Sequence, residues 1–166
     1  MKFLIISDLH GNISALVKLD EEFKAADAVL FGGDFAAFNH TETGLPALEA
    51  LCKKHDAVFS VIGNCDEPEF LKELEKRDVS VENTLAYVGG VCIAGSGGGS
   101  KFTGTTPNER TEEELLSDFS VVEHASGGTG KKKRLEQSHP HLAQSAERHE
   151  MRCGKSRFAC RFAKVP

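Results

Sequence analysis

Three short apolar runs each stop at side chains able to hold a divalent cation. Residues 3–6 lead into Asp8 and His10, residues 29–31 into Gly32, Gly33 and Asp34, and residues 58–62 into Gly63, Asn64, Cys65 and Asp66. Asp8 and His10 are two apart, so an extended segment directs both side chains the same way, toward one ion. Asp34 adds a carboxylate after the second run and Asn64 an amide oxygen after the third, with Asp66, Asn39, His40 and Asp27 in reserve. Oxygen donors mixed with imidazole suit Mn, Fe or Zn better than Ca. A carboxylate shared by two ions about 3.5–4 Å apart gives a clamp for in-line displacement at phosphorus. Each cluster alone has a plain structural explanation: a capping or core histidine at His10, a tight turn at Gly32-Gly33-Asp34. Three clusters in the same position after an apolar run point to a metal-binding edge.

The elements that must position these residues follow from the pattern around them. The apolar runs do not alternate with polar residues, which fits strands buried on both faces. Between them, residues 14–23 read as a helix with Leu16, Val17 and Leu19 near one side, capped by Asn12 or Ser14. Residues 35–42 read as a loop. Residues 43–54 read as a second helix that tolerates Pro46 in its first turn, and residues 68–76 as a third with Pro68 at its start. Strand alternating with helix predicts an α/β layered domain with a largely parallel sheet. Ligands of such sheets gather at the carboxyl ends of the strands, where the clusters fall.

Beyond residue 78 the pattern changes. Residues 79–81, 85–88 and 91–93 read as short strands, with Gly89-Gly90 as a hairpin turn and a second, partly antiparallel sheet as the outcome. Residues 95–100, GSGGGS, have linker composition, but they follow a strand directly and fit a loop near the site equally well. Thr111 and Glu114 form a capping-box signal for a helix reaching about Phe119.

The chain has 166 residues, the size of one domain, and a formal net charge of −5. That balance argues against a nucleic-acid binder. The charge is divided unevenly: residues 1–123 carry 10 Lys and Arg against 22 Asp and Glu, residues 124–166 carry 10 against 3. Five cysteines without a CxxC pair suggest neither a disulfide framework nor a zinc ribbon. Cys52 and Cys92 read as small buried hydrophobes. No apolar run approaches the 18 residues of a membrane span, and the apolar start is too short for a signal peptide, so a cytoplasmic location is expected. After Val122 no strand run is evident and apolar residues are isolated, so residues 124–166 are expected to form a basic tail of low order. Its Lys131 to Arg134 run reads as a solvated basic stretch. His139, His141, His149, Cys153 and Cys160 match no common zinc spacing.

Asp8-Leu9-His10-Gly11-Asn12, Gly32-Gly33-Asp34 and Gly63-Asn64-Cys65-Asp66 together resemble the first three motifs of the calcineurin-like metallophosphoesterases, in order, spacing and strand context. The resemblance covers roughly residues 2–123. It implies a layered αββα sandwich of two mixed sheets, incomplete at the C-terminus. It further implies a pair of divalent metal ions, with Mn foremost and Fe, Zn, Ni or Mg as the others. Asp8 and His10 would ligate the first ion, Asp34 would bridge, Asn64 would ligate the second, and Asp66 would orient the site. The implied reaction is hydrolysis of a small phosphomonoester or phosphodiester. Many members carry a histidine where this chain has Cys65, as one branch of small prokaryotic members does. A thiol replaces that proton donor poorly, which favours good leaving groups; the other role for Cys65 is covalent nucleophile. Residues 97–114, with Thr106-Pro107-Asn108-Glu109, further resemble a small-phosphoesterase subgroup.

The tail departs from the pattern. The family continues with histidine motifs ending in Gly-His-x-His, which these residues do not contain, and His139, in Ser138-His139-Pro140-His141, is the nearest match to the first of them. The change in composition near residue 124 has the form of a reading-frame change, which sequencing the codons for residues 122–130 tests. The alternatives to an active hydrolase are therefore a partly folded or inactive remnant and an acidic, non-catalytic metal- or ligand-binding module. Oligomeric state is not encoded in any pattern of this sequence.

Overall fold

The computed structural model describes residues 1–126 and the strand formed by residues 159–164. Its centre is a parallel sheet of four strands in the order β3-β2-β1-β8, built from β1 (Lys2–Ser7), β2 (Ala28–Phe31), β3 (Val58–Ser60) and β8 (Ala159–Lys164). Phe3 pairs with Ala28 and Ile6 with Phe31, while Val29 pairs with Val58, so the first three strands end level with one another. That register sets the three motif loops side by side.

The absence of alternation has the expected cause. Leu4 and Ile6 of β1 pack with Val29, Phe31, Leu48 and Leu51 on one face, and Phe3 packs with Ala28, Phe59 and Val88 on the other. Full burial of each large apolar side chain contributes about 1.5–3 kcal/mol, and these strands place such residues on both sides. The helical face is covered by α1 (Ile13–Val17), α2 (Asp20–Ala25), α3 (Gly44–Cys52) and α4 (Leu71–Lys76), which contribute Leu16, Phe23, Leu48, Leu51 and Leu74, each at most 2% exposed. The other face meets the hairpin β4 (Ala86–Val88) and β5 (Val91–Ile93), paired antiparallel across Gly89 and Gly90. Both glycines have positive φ, 55° and 83°, as a two-residue hairpin turn of the primed type requires. Residues 79–81 lie beside β3 but pair through a single bridge, Ser60 to Ser80, and do not make a full strand.

Several expectations are corrected. The first helix is two helices, because Leu19 bonds back only to Leu16 and the helical ladder breaks between Lys18 and Leu19. Neither Asn12 nor Ser14 caps α1 through its side chain; the Ser14 hydroxyl donates to Asn12 Oδ1 at 2.7 Å instead. Cys92 is exposed and so is not a core hydrophobe, whereas Cys52 is half-buried and packs against the core. Of the two readings of residues 95–100, the loop near the site holds: Gly98 N–H donates to the Ile62 carbonyl at 2.9 Å, and Gly99–Ser100 (β6) pairs with Glu109–Arg110 (β7). After the capped helix α5 (Glu112–Ser117) the chain forms a further helix, α6 (Ser120–Ser126), beyond the expected end near Phe119. The expectation of no strand beyond Val122 also fails, since β8 pairs in parallel with all six residues of β1. Arg161 and Lys164 interrupt the apolar residues of that stretch, which hides a strand from a search for continuous apolar runs. His139, together with Lys131 to Arg134, His141, His149 and Cys153, lies outside the described residues.

Candidate metal centre

The motif loops are stitched together before any side chain is considered. Past the end of β1, Asp8 N–H donates to the Gly33 carbonyl at 3.1 Å, His10 N–H to that of Asp34 at 2.9 Å, and Gly11 N–H to that of Phe35 at 2.8 Å. The first and second loops thus continue the pairing of their strands. The third loop approaches so closely that glycine is required on both sides. A Cβ on Gly33 (φ 91°) would lie 2.2 Å from the Gly63 nitrogen, and one on Gly63 would lie 2.0 Å from Asp34 Oδ1.

Asp66 fastens the second loop to the third. It is fully buried. Its Oδ2 accepts from the N–H groups of Asp34 (2.9 Å), Phe35 (3.2 Å) and Gly63 (2.8 Å), and its Oδ1 from Ala36 at 2.8 Å. These contacts make it a positioning residue rather than one facing a substrate. Glu82 supports the third loop from below, with Oε1 accepting the Ile62 N–H at 2.7 Å. Burial pushes the Glu82 carboxyl above its usual range.

This scaffold brings Asp8, His10 and Asp34 together. His10 Nε2 lies 3.7 Å from Asp8 Oδ1 and 4.0 Å from Asp34 Oδ2. His10 Nδ1 lies 3.3 Å from the Ala36 carbonyl. Donation there leaves the Nε2 lone pair facing the carboxylates, the tautomer that a metal ligand needs. The Ser7 hydroxyl donates to Asp8 Oδ2. All three ligand candidates have φ in the left-handed region, 58° for Asp8, 48° for His10 and 62° for Asp34, so the extended segment expected at Asp8 and His10 is absent and their side chains meet through a turn past the end of β1. Such conformations cost roughly 1–3 kcal/mol each and gather at functional sites.

The electrostatics also fit a cation. The Asp34 side chain is 12% exposed. Burial, with smaller contributions from the Asp66 and Asp8 carboxylates, raises its pKa, partly offset by the Cys65 N–H that donates to Oδ1 at 2.8 Å. The Cys65 thiol is pushed up to about 11 by burial and by the Asp34, Asp66 and Asp8 charges. Asp34, buried beside the Asp66 and Asp8 carboxylates, is a group whose charge a divalent ion would relieve.

Asn64 lies on the same loop, with Nδ2 donating to Cys65 Sγ at 3.6 Å. Its carbonyl accepts the Asn108 N–H at 3.1 Å, and Asn108 Nδ2 donates to the Gly63 carbonyl at 3.1 Å. Of the reserves, Asp27 sits at the opposite end of the sheet, where it accepts the Lys2 N–H at 2.6 Å. His40 is exposed and pairs with Glu42 at 3.1 Å.

Asn108, Glu82 and Glu109 were not legible as parts of the site's support. Glu109 gathers the N–H groups of Phe102, Gly104, Thr105 and Thr106 around its carboxylate at 2.8–3.3 Å. Those backbone donors lower its pKa to about 2. The available signal was the Thr106-Pro107-Asn108-Glu109 segment, which marks a turn closed by an acidic residue.

Comparison with known proteins agrees with this architecture. The family model for calcineurin-like phosphoesterases matches residues 1–154, and the chain belongs to that family. An uncharacterised protein of Methanocaldococcus jannaschii is 33% identical over 119 residues, which cover 70% of this chain and 52% of the relative. The chain therefore matches about half the length of that relative. The crystal structure of the protein TT1561 from Thermus thermophilus superposes with a TM-score of 0.60 at 19% identity, covering 87% of this chain and 77% of the other. That likeness shows that the two chains share a fold. The family is one of metal-dependent phosphoester hydrolases that generally bind a pair of divalent ions. Among the described residues no helix is long and apolar enough to cross a membrane.

Proposed function

We propose that this chain hydrolyses a small phosphomonoester or phosphodiester at a two-metal centre. The observation that carries the proposal is the convergence of Asp8, His10 and Asp34 at 3.7–4.0 Å on loops tied together by backbone bonds and by Asp66. Asp8 and His10 would hold the first ion, Asp34 would be shared, and Asn64 would serve the second. Divalent ions bound there supply Lewis-acid charge to the phosphoryl oxygens and activate water. Mn fits the mixture of oxygen and imidazole donors, with Fe, Zn, Ni or Mg as the other candidates.

The protein's own part is positional. Asp66 fixes the angle at which Asp34 leaves its loop, and the Ala36 carbonyl fixes the His10 ring. Cys65 stands where many members carry a histidine, and a thiol replaces that proton donor poorly. Esters with good leaving groups are accordingly the expected substrates.

The test is bound metal per chain together with Mn-dependent hydrolysis of an activated aryl phosphate, in the native chain and in Asp34→Asn. Metal-dependent turnover that disappears in a folded Asp34→Asn supports the proposal. Undiminished turnover in that variant overturns it. Metal binding without turnover would instead establish a non-catalytic binding module. One feature favours that second outcome: among the described residues Asp8 and His10 would serve the first ion, whereas the second would have Asn64 and the shared Asp34.

A further inference from the structure

We propose that Cys65 is itself a metal ligand, so that the centre is a mixed sulfur, nitrogen and oxygen site selective for thiophilic ions. The inference rests on the metal centre proposed above, adds a donor to it and moves the preferred ion from Mn to Zn. Ligand atoms of His10, Asp34 and Cys65 all lie within 4.8 Å of one another. Donors sharing one ion at bonds of about 2.0–2.3 Å stand at most about 4–4.6 Å apart, so a small closing movement brings all three onto one ion.

Two contacts aim the sulfur. The Cys65 N–H donates to Asp34 Oδ1 at 2.8 Å, which ties its backbone to a carboxylate of the site. The Asn64 side-chain amide donates to Sγ at 3.6 Å, the kind of outer contact that orients a sulfur ligand and tunes it. Burial among carboxylates makes this sulfur a poor nucleophile but does not hinder coordination, because the entering cation supplies the missing positive charge. As the sulfur–metal bond forms, the thiol proton passes to solvent and no electron is transferred.

Thiolate shifts preference among divalent ions toward Zn, and toward Cd as its softer probe, and away from Mn and Mg. The site would then discriminate metals by position 65 while the carboxylates and imidazole set overall affinity.

Cobalt titration of the full chain tests this. Visible d–d bands report that Co is bound, and a near-ultraviolet thiolate-to-cobalt charge-transfer band reports sulfur in its sphere. The expected result is both signals in the native chain. In Cys65→Ser the d–d bands should remain, the charge-transfer band should vanish, and Cd affinity should fall about tenfold or more. Bound Co without the charge-transfer band overturns the sulfur ligand and leaves the metal centre intact. Persistence of that band in Cys65→Ser also overturns it, because the sulfur then comes from another cysteine. Absence of both signals removes the metal centre and this inference together. Cadmium NMR of the native chain gives a readout independent of any variant: a sulfur-ligated shift supports the assignment, and a shift typical of nitrogen and oxygen ligands alone overturns it.

Discussion

Replacing Asp66 by asparagine tests whether the loops are held together as described. In Asp66→Asn the amide oxygen can occupy the Oδ2 position and keep the bonds from Asp34, Phe35 and Gly63. The amide nitrogen must then stand at Oδ1, donor against donor, facing the Ala36 N–H 2.8 Å away. Loss of that charge-assisted bond costs about 1.5–3 kcal/mol. The three remaining bonds become neutral, and charged bonds are roughly twice as strong, so each weakens by about 0.5–1 kcal/mol. The sum is about 3–6 kcal/mol, a large share of the roughly 5–15 kcal/mol that holds a domain folded. For a chain of this size that corresponds to a melting temperature about 6–24 °C lower. Thermal unfolding followed by circular dichroism measures the change. A variant that melts within about 2 °C of the native chain would refute the role assigned to Asp66. Asp66→Ala should be worse still, because all four N–H groups lose their acceptor in a site with no exposure to water.

Other outcomes follow from neighbouring features. Gly63→Ala should yield no soluble folded protein, because the new methyl would overlap Asp34; recovery of a native melting curve would contradict the packing described. Asp118, 3% exposed and bonded bidentately by Arg110 at 2.6 and 2.9 Å, has its pKa lowered chiefly by that guanidinium. A lowered folded value stabilises above the ordinary Asp pKa of about 3.9 and is lost as pH falls through it. The melting gap between the native chain and Asp118→Asn should therefore be full above about pH 5 and shrink at lower pH; a gap independent of pH contradicts this. Glu109→Gln should release residues 102–106 from their carboxylate, and cleavage after the 91%-exposed Phe102 by chymotrypsin should become several-fold faster; equal rates would contradict that tie.

The parts of the molecule that were legible in the sequence share one property: local pattern decides them. β1, β2 and β3 are continuous apolar runs, the α5 cap is a four-residue motif realised in both directions, and the Gly89-Gly90 turn needs only its two glycines. The convergence of the three motif loops was visible because three such runs end in the same kind of residue. What was hidden depends on contacts far apart in the chain. Asp66 meets residues 34–36, and Asn108 Nδ2 reaches back to Gly63, so neither contact leaves a periodic trace. β8 was missed for a related reason: it adds to an edge strand already built, and pairing with β1 does not demand an unbroken apolar run of its own. Cys92 was misread because its neighbours are apolar while its own position on the hairpin faces outward.

The left-handed backbone at Asp8, His10 and Asp34 constrains how this lineage can change. Asp, Asn and His tolerate that conformation better than other side-chain-bearing residues, and glycine adopts it freely. A change to valine or alanine there fails twice, once in donor chemistry and once in backbone strain. A change to asparagine or glycine fails only in chemistry and leaves the loop intact. Descendants released from selection for turnover should therefore pass first through Asn or Gly at positions 8 and 34, keeping the shape of the centre after its reactivity has gone. In this branch, residue type at two positions would record the order in which function and fold were given up.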